Sequence, residues 1–246
     1  MDTQAITGAA YLPRTVDGLV ERTLQAAGGI VLEGPRGCGK TMTGLKHASS
    51  YVLLDSPEAL AAADIDPRML LAGERPRLLD EWQLVPHLWN LARRDIDFSP
   101  EPGRFILTGS ATRHTGATRF IRIRQRTMTW AEKTHALHTD GVSLSGLFQG
   151  HLPKGDLTTA PLSGIVSEVL RPGFPGLIDA PQEIAVRSLV SYLQDIASTD
   201  VNRLANLRSE PVVIEQLLTA LARSTAAEAS IGTLRKDISQ VLPAPS

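Results

Sequence analysis

Eight residues constrain this chain more than any others: Gly34-Pro35-Arg36-Gly37-Cys38-Gly39-Lys40-Thr41. A glycine, four free positions and then Gly-Lys-Thr make the Walker A pattern. Ile30 to Glu33 reads as a short apolar strand before it, and Met42 to Ala48 can run as a helix after it. That strand–loop–helix setting is what the pattern requires. Glycines let the backbone curl until several N–H groups converge on one anion, and the helix adds its positive end. In such a loop Lys40 reaches the outer phosphates of a nucleotide, and the Thr41 hydroxyl ligates Mg²⁺. All eight residues are candidates for nucleotide contact.

The chain has 246 residues, enough for one large domain or two smaller ones with a core of normal size. A net charge of −1 gives no bulk electrostatic case for nucleic acid or anionic membrane. No apolar run approaches the length of a membrane span. The start, Met1-Asp2-Thr3-Gln4, lacks a basic segment and an apolar signal core. A soluble cytoplasmic protein that does not enter membranes is the expectation. The single cysteine, Cys38, excludes an internal disulfide. Beside amide donors and Lys40 its thiol could be activated; the alternative is a small residue filling a free position of the loop.

Val16 to Ala27 is amphipathic, with Leu19, Val20 and Leu24 at helical spacing. Tyr51 to Asp55 is a continuous apolar run ending in an acid, as buried parallel strands often read. Pro57 to Ala72 suits two short helical pieces. Arg77-Leu78-Leu79-Asp80-Glu81-Trp82-Gln83 follows, an apolar strand ending in Asp-Glu downstream of the loop: a Walker B segment. Asp80 would hold Mg²⁺, which takes oxygen ligands and keeps part of its water. Glu81 would orient and deprotonate the attacking water. Arg77, odd in a central strand, is expected at its outer end with its head in solvent. Leu84 to Asp95 reads as an amphipathic helix.

Arg104 to Ser110 is another buried strand that ends in small polar residues. Strand C-termini line the ligand crevice of a parallel sheet, so Thr108 and Ser110 point toward the phosphates. A hydroxyl there holds the catalytic water or caps a helix. From Ile121, alternation gives a strand with Arg122, Arg124 and Arg126 on one face. That face is a solvated edge, a nucleic-acid contact, or part of an arginine finger for a neighbouring subunit's nucleotide, with Arg119 best placed. Six histidines are scattered, and His135 and His138 share a helical face without a ligand set to complete a metal site.

Gly, Pro, Thr and Lys break the periodicity around Gly141 to Pro161, a linker or insertion. Two domains and a linker follow: residues 1–140 around the loop, 141–161 as linker or insertion, and 162–246 as a helical C-terminal region. In the last, Glu183 to Ile196, Pro211 to Ala222 and Ser230 to Val241 are helical. The final pair forms a helix-turn-helix, as in a winged helix, or a plain bundle. The expected fold class is α/β, a P-loop NTPase with a parallel sheet sandwiched by helices.

The residues together resemble the bacterial and archaeal AAA-type ATP-binding proteins whose C-terminal half is a domain of unknown function. The resemblance rests on Tyr11-Leu12-Pro13-Arg14, the phosphate loop, Asp80-Glu81-Trp82-Gln83 and Phe105-Ile106-Leu107-Thr108-Gly109-Ser110-Ala111. It continues through Thr115-Gly116-Ala117, Arg119, Met128, Gly173-Phe174-Pro175 and Ala227-Glu228-Ala229-Ser230. It implies an AAA+ fold with Walker A, Walker B and sensor-1 positions at the residues named, and a C-terminal part similar to a winged helix. Thr118 stands where the family usually has a glycine. The chain also ends before the nuclease-like part of the family, so it resembles a C-terminally shortened member.

Two functions are consistent with these residues, and a third reading is a truncated, inactive family member. One is an ATPase that binds Mg²⁺ and ATP at Gly34 to Thr41, uses Asp80 and Glu81, and takes Arg119 from a second copy or a partner protein. The absence of Asn-Lys-x-Asp favours ATP over GTP. The other is a nucleotide-gated module whose C-terminal helices contact DNA or protein through Arg203, Arg208, Arg223, Arg235 and Lys236.

Overall fold

The computed structural model describes residues 1–109, 119–134, 144–151, 161–200, 210–225 and 227–239. The chain divides into two compact units, Met1–Asp179 and Ala180–Ser246.

In the first unit five strands form one sheet: β1 (Gly29–Glu33), β2 (Ser50–Leu53), β3 (Arg77–Asp80), β4 (Phe105–Gly109) and β5 (Phe120–Arg124). Their order is β2-β3-β4-β1-β5, and every pair is parallel. Because side chains alternate across a strand, each sheet face receives every second residue. Val31, Leu79, Phe105 and Leu107 turn to one face. They pack there against Ala59 and Ala63 of α4 (Pro57–Ile65) and Leu88, Trp89, Ala92 and Ile96 of α5 (Leu88–Phe98). Ile30, Leu32, Leu78, Ile106 and Ile123 turn to the other. They meet Val20 and Leu24 of α2 (Asp17–Leu24) and Leu45 of α3 (Lys40–His47). With both faces covered, β1, β3 and β4 read as unbroken apolar runs. Full burial of each such side chain contributes about 1.5–3 kcal/mol.

The register fixes where chemistry can occur. Glu33 lies level with Gly109 and Arg124, and Asp80 level with Leu53. The carboxyl edge of the sheet therefore gathers the residues that follow Glu33, Asp80, Thr108 and Arg124.

Three expectations are corrected. β2 is an edge strand with β3 as its one neighbour, so it is half-exposed rather than buried. Arg77 does begin its strand at the outer end, but its head is not in solvent. Its Nε donates to the Leu70 carbonyl at 2.6 Å, and Nη1 to the Ser50 hydroxyl at 3.0 Å. Finally, α5 starts at Leu88, not at Leu84, which ends a 3₁₀ turn from Trp82. Pro86 holds Val85 out of the helical region, at φ −128° and ψ 75°.

Among the described residues of the second unit are three helices of ordinary length: Gln182–Asp195, Pro211–Arg223 and Ile231–Ser239. The last two pack on each other. Arg223, Arg235 and Lys236 lie on this pair, whereas Arg203 and Arg208 fall outside the described residues. No helix among the described residues is long and apolar enough to cross a membrane.

Candidate functional site

The loop after β1 has the backbone its glycines allow. Gly37 and Gly39 sit at φ 78° and 95°, a left-handed region in which a Cβ is strained. Gly39 also caps α3, so the helix begins at Lys40 with its N–H groups opening into the loop. Lys40 Nζ folds back over the loop and donates to the carbonyls of Gly34 at 3.1 Å and Pro35 at 2.9 Å. Arg36 is exposed at the loop.

Behind the loop stands a frame that the sequence did not announce. The Cys38 carbonyl accepts from Arg14 Nη1 at 2.7 Å and from Gln125 Nε2 at 3.3 Å. Arg14 also donates to the Arg126 carbonyl at 2.7 Å and pairs with Glu132 Oε1 at 3.2 Å. Glu132 is a buried hub that also accepts from the backbone and hydroxyl of both Thr15 and Thr129. Burial pushes its carboxyl up, but those hydrogen bonds and Arg14 hold it below the usual range. Tyr11 and His47 both bond Asp17, which pins the segment before Arg14 on α3. Phe174 and Pro175 lie beside Gly37 and Gly39, with Gly173 tied to Met128 by a backbone bond of 2.6 Å.

Cys38 is fully buried, its Sγ 3.6 Å from the Gln125 carbonyl. Burial pushes the thiol up in pKa, against the pull of Lys40 and Arg14. The activated-thiol reading is thereby overturned: Cys38 fills space.

The carboxylates meet the loop at the end of β3. Asp80 is 4% exposed; its Oδ2 accepts from the Thr41 hydroxyl at 3.1 Å and its Oδ1 from the Thr108 hydroxyl. Thr108 Oγ1 in turn accepts the Glu81 N–H at 3.3 Å. One hydroxyl on β4 thus holds both members of the Asp-Glu pair. Glu81 adopts φ 53°, the one positive value among the described non-glycine residues.

Burial pushes the Asp80 carboxyl from 3.8 up to about 6, with the Thr108 and Thr41 hydroxyls opposing the rise. The folded value exceeds the unfolded one, so this group's stability is fully present below about pH 4. It is lost as pH rises through about 6. Asp80→Asn should flatten this part of the pH profile and, without ligand, stabilise the chain at pH 7 by about 3 kcal/mol. Urea midpoints of both proteins between pH 4 and 7 check this; parallel profiles would contradict it.

The structure thus brings Gly34 to Thr41, Asp80 and Glu81 to one edge. Arg119 is not among them. It precedes Phe120, which pairs with Gly29 at the start of β1, and it binds Asp97 of α5. It lies at the opposite edge of the sheet. Arg122, Arg124 and Arg126 are exposed as expected of an edge, with Arg122 bonded to Glu33. Ser110, Thr118, His135 and His138 lie outside the described residues. Among the described residues no group of three or more His, Cys, Asp or Glu could hold a metal. Of the framing residues, Glu132 had a local signal: Thr129-x-x-Glu132 is a capping box, and both of its bonds are made. Arg14 stood in the Tyr11-Leu12-Pro13-Arg14 motif of the resemblance without a role, and Gln125 had no signal.

A phosphate loop at the carboxyl edge of a parallel α/β sheet defines a P-loop protein. Residues 27–129 match the model of a family described as an AAA domain. Among solved structures, it is similar to the Walker-type ATPase PABY2304 of Pyrococcus abyssi. The two are 14% identical, with 94% of this chain and 89% of that one covered and a TM-score of 0.48. It is also similar to AMPPCP-bound DnaA from Aquifex aeolicus, 16% identical, with 89% and 81% covered and a TM-score of 0.36. No curated protein matches the sequence.

Proposed function

We propose that the chain binds ATP with Mg²⁺ at Gly34 to Thr41 and hydrolyses it. The observation that carries this reading is the 3.1 Å hydrogen bond from Thr41 to Asp80. It joins the loop's last residue to the Walker B carboxylate, with Glu81 next in the chain. Thr41 and Asp80 are two hard oxygen donors side by side, which fits Mg²⁺ held mainly by phosphate and water. When bound, the ion would neutralise charge on the outer phosphates.

The chain's own residues do the rest. The loop's N–H groups bind phosphate oxygens, and Lys40 exchanges the Gly34 and Pro35 carbonyls for them. Glu81 takes the proton of a water whose oxygen attacks the terminal phosphorus. The bond from that phosphorus to the bridging oxygen breaks, and ADP and inorganic phosphate leave. Arg119, at the opposite edge, would contact only the nucleotide of another chain.

Calorimetric titration with Mg·ATP tests the binding. Lys40→Ala removes charge-assisted hydrogen bonds and should weaken affinity about 10- to 100-fold. Equal affinity of the two proteins would take the nucleotide out of this loop.

A further inference from the structure

Gln83 ends the Asp80-Glu81-Trp82-Gln83 stretch, and the chemistry above gives it no task. Its amide has two very different surroundings. Nε2 donates to Glu81 Oε2. Oε1 is buried with no hydrogen-bond partner. That oxygen presses on Gly109 of β4, where an added Cβ would lie 2.2 Å from it. The carboxylate decides which end is which, since only an N–H can face it. Between the two residues, Trp82 is 2% exposed and packs on Trp89 at 5.1 Å between ring centroids. The pair therefore stands on the core.

We propose that Gln83 is a positioning residue for the general base: its amide holds one oxygen of Glu81 and leaves the other for the attacking water. The inference rests on the hydrolysis proposed above. The left-handed backbone at Glu81 turns its side chain off the line of β3, where the Thr108 hydroxyl holds only the backbone N–H. A long carboxylate side chain on such a turn needs a second hold to keep one rotamer. The amide supplies it through a charge-assisted bond. Gly109 completes the device, because any side chain there displaces the amide.

The test is kcat and KM for Mg·ATP in Gln83→Ala, Gly109→Ala and the double variant. Gln83→Ala should lower kcat about 10²-fold, the cost of a base misplaced by about an ångström, with KM unchanged. Gly109→Ala should lower kcat in the same way. The double variant should fall no further than Gln83→Ala, because both changes remove one contact. Gln83→Met, similar in length but without the N–H, gives the same loss should the alanine variant not fold. A purely structural role would instead lower thermal midpoints, move KM and give additive losses, and would overturn the proposal. So would a kcat at or above the wild-type value in Gln83→Ala. A wild type that binds Mg·ATP without turning it over overturns the hydrolysis, and this inference with it; a working wild type beside an equally active Gln83→Ala overturns only the inference.

Discussion

Glu81→Gln should abolish most ATP turnover, by about 10²- to 10⁴-fold, while Mg·ATP still binds as in the wild type. Glutamine keeps the shape of the side chain and the backbone N–H bond to Thr108, so the loop and the Asp80 oxygens stay as they are. What it loses is the lone pair that takes the water's proton. The large range reflects how far the remaining charge neutralisation, by Lys40 and the loop, drives the reaction without a base. Steady-state turnover beside a calorimetric Kd separates the two effects. Unchanged turnover would remove Glu81 from the chemistry, and a lost Kd would mean that its role is to shape the site.

The second large effect concerns stability. Arg14→Ala should cost about 3–5 kcal/mol, because it leaves the Glu132 carboxylate buried without its cation. Arg14 is 6% exposed and Glu132 2% exposed, so water cannot take over the pairing. The same change strips the Cys38 carbonyl of its 2.7 Å donor and the Arg126 carbonyl of another. Adding Glu132→Gln should recover part of the loss, since the uncompensated charge is then gone. Urea unfolding of the two single variants and the double measures both claims. A loss below about 1 kcal/mol for Arg14→Ala would mean that the pair contributes no more than a surface bridge.

What could be read beforehand follows from how local each signal is. The loop, the Asp80-Glu81 pair and the strands β1, β3 and β4 announce themselves. Each is a short contiguous pattern, and strands covered on both faces have no polar residues to interrupt them. The exposure of β2 was hidden, because an edge strand here carries the same apolar letters as a central one. The start of α5 was misplaced because the apolar spacing runs on through Pro86, which breaks the helix. Arg14 and Gln125 belong to bonds that span 24 and 87 residues, and no window of sequence shows such partners. The location of Arg119 depended on strand order. Only with β5 laid parallel beside β1 does the residue before Phe120 fall at the edge away from the phosphate loop.

The burial of Cys38 gives this chain an internal clock. With its sulfur packed against the Gln125 carbonyl, a thiol reagent can reach it only in the moments when the loop lifts away. The labelling rate then counts openings of the loop and not the intrinsic nucleophilicity of the sulfur. The chain holds one cysteine, so every modified molecule reports on that single event.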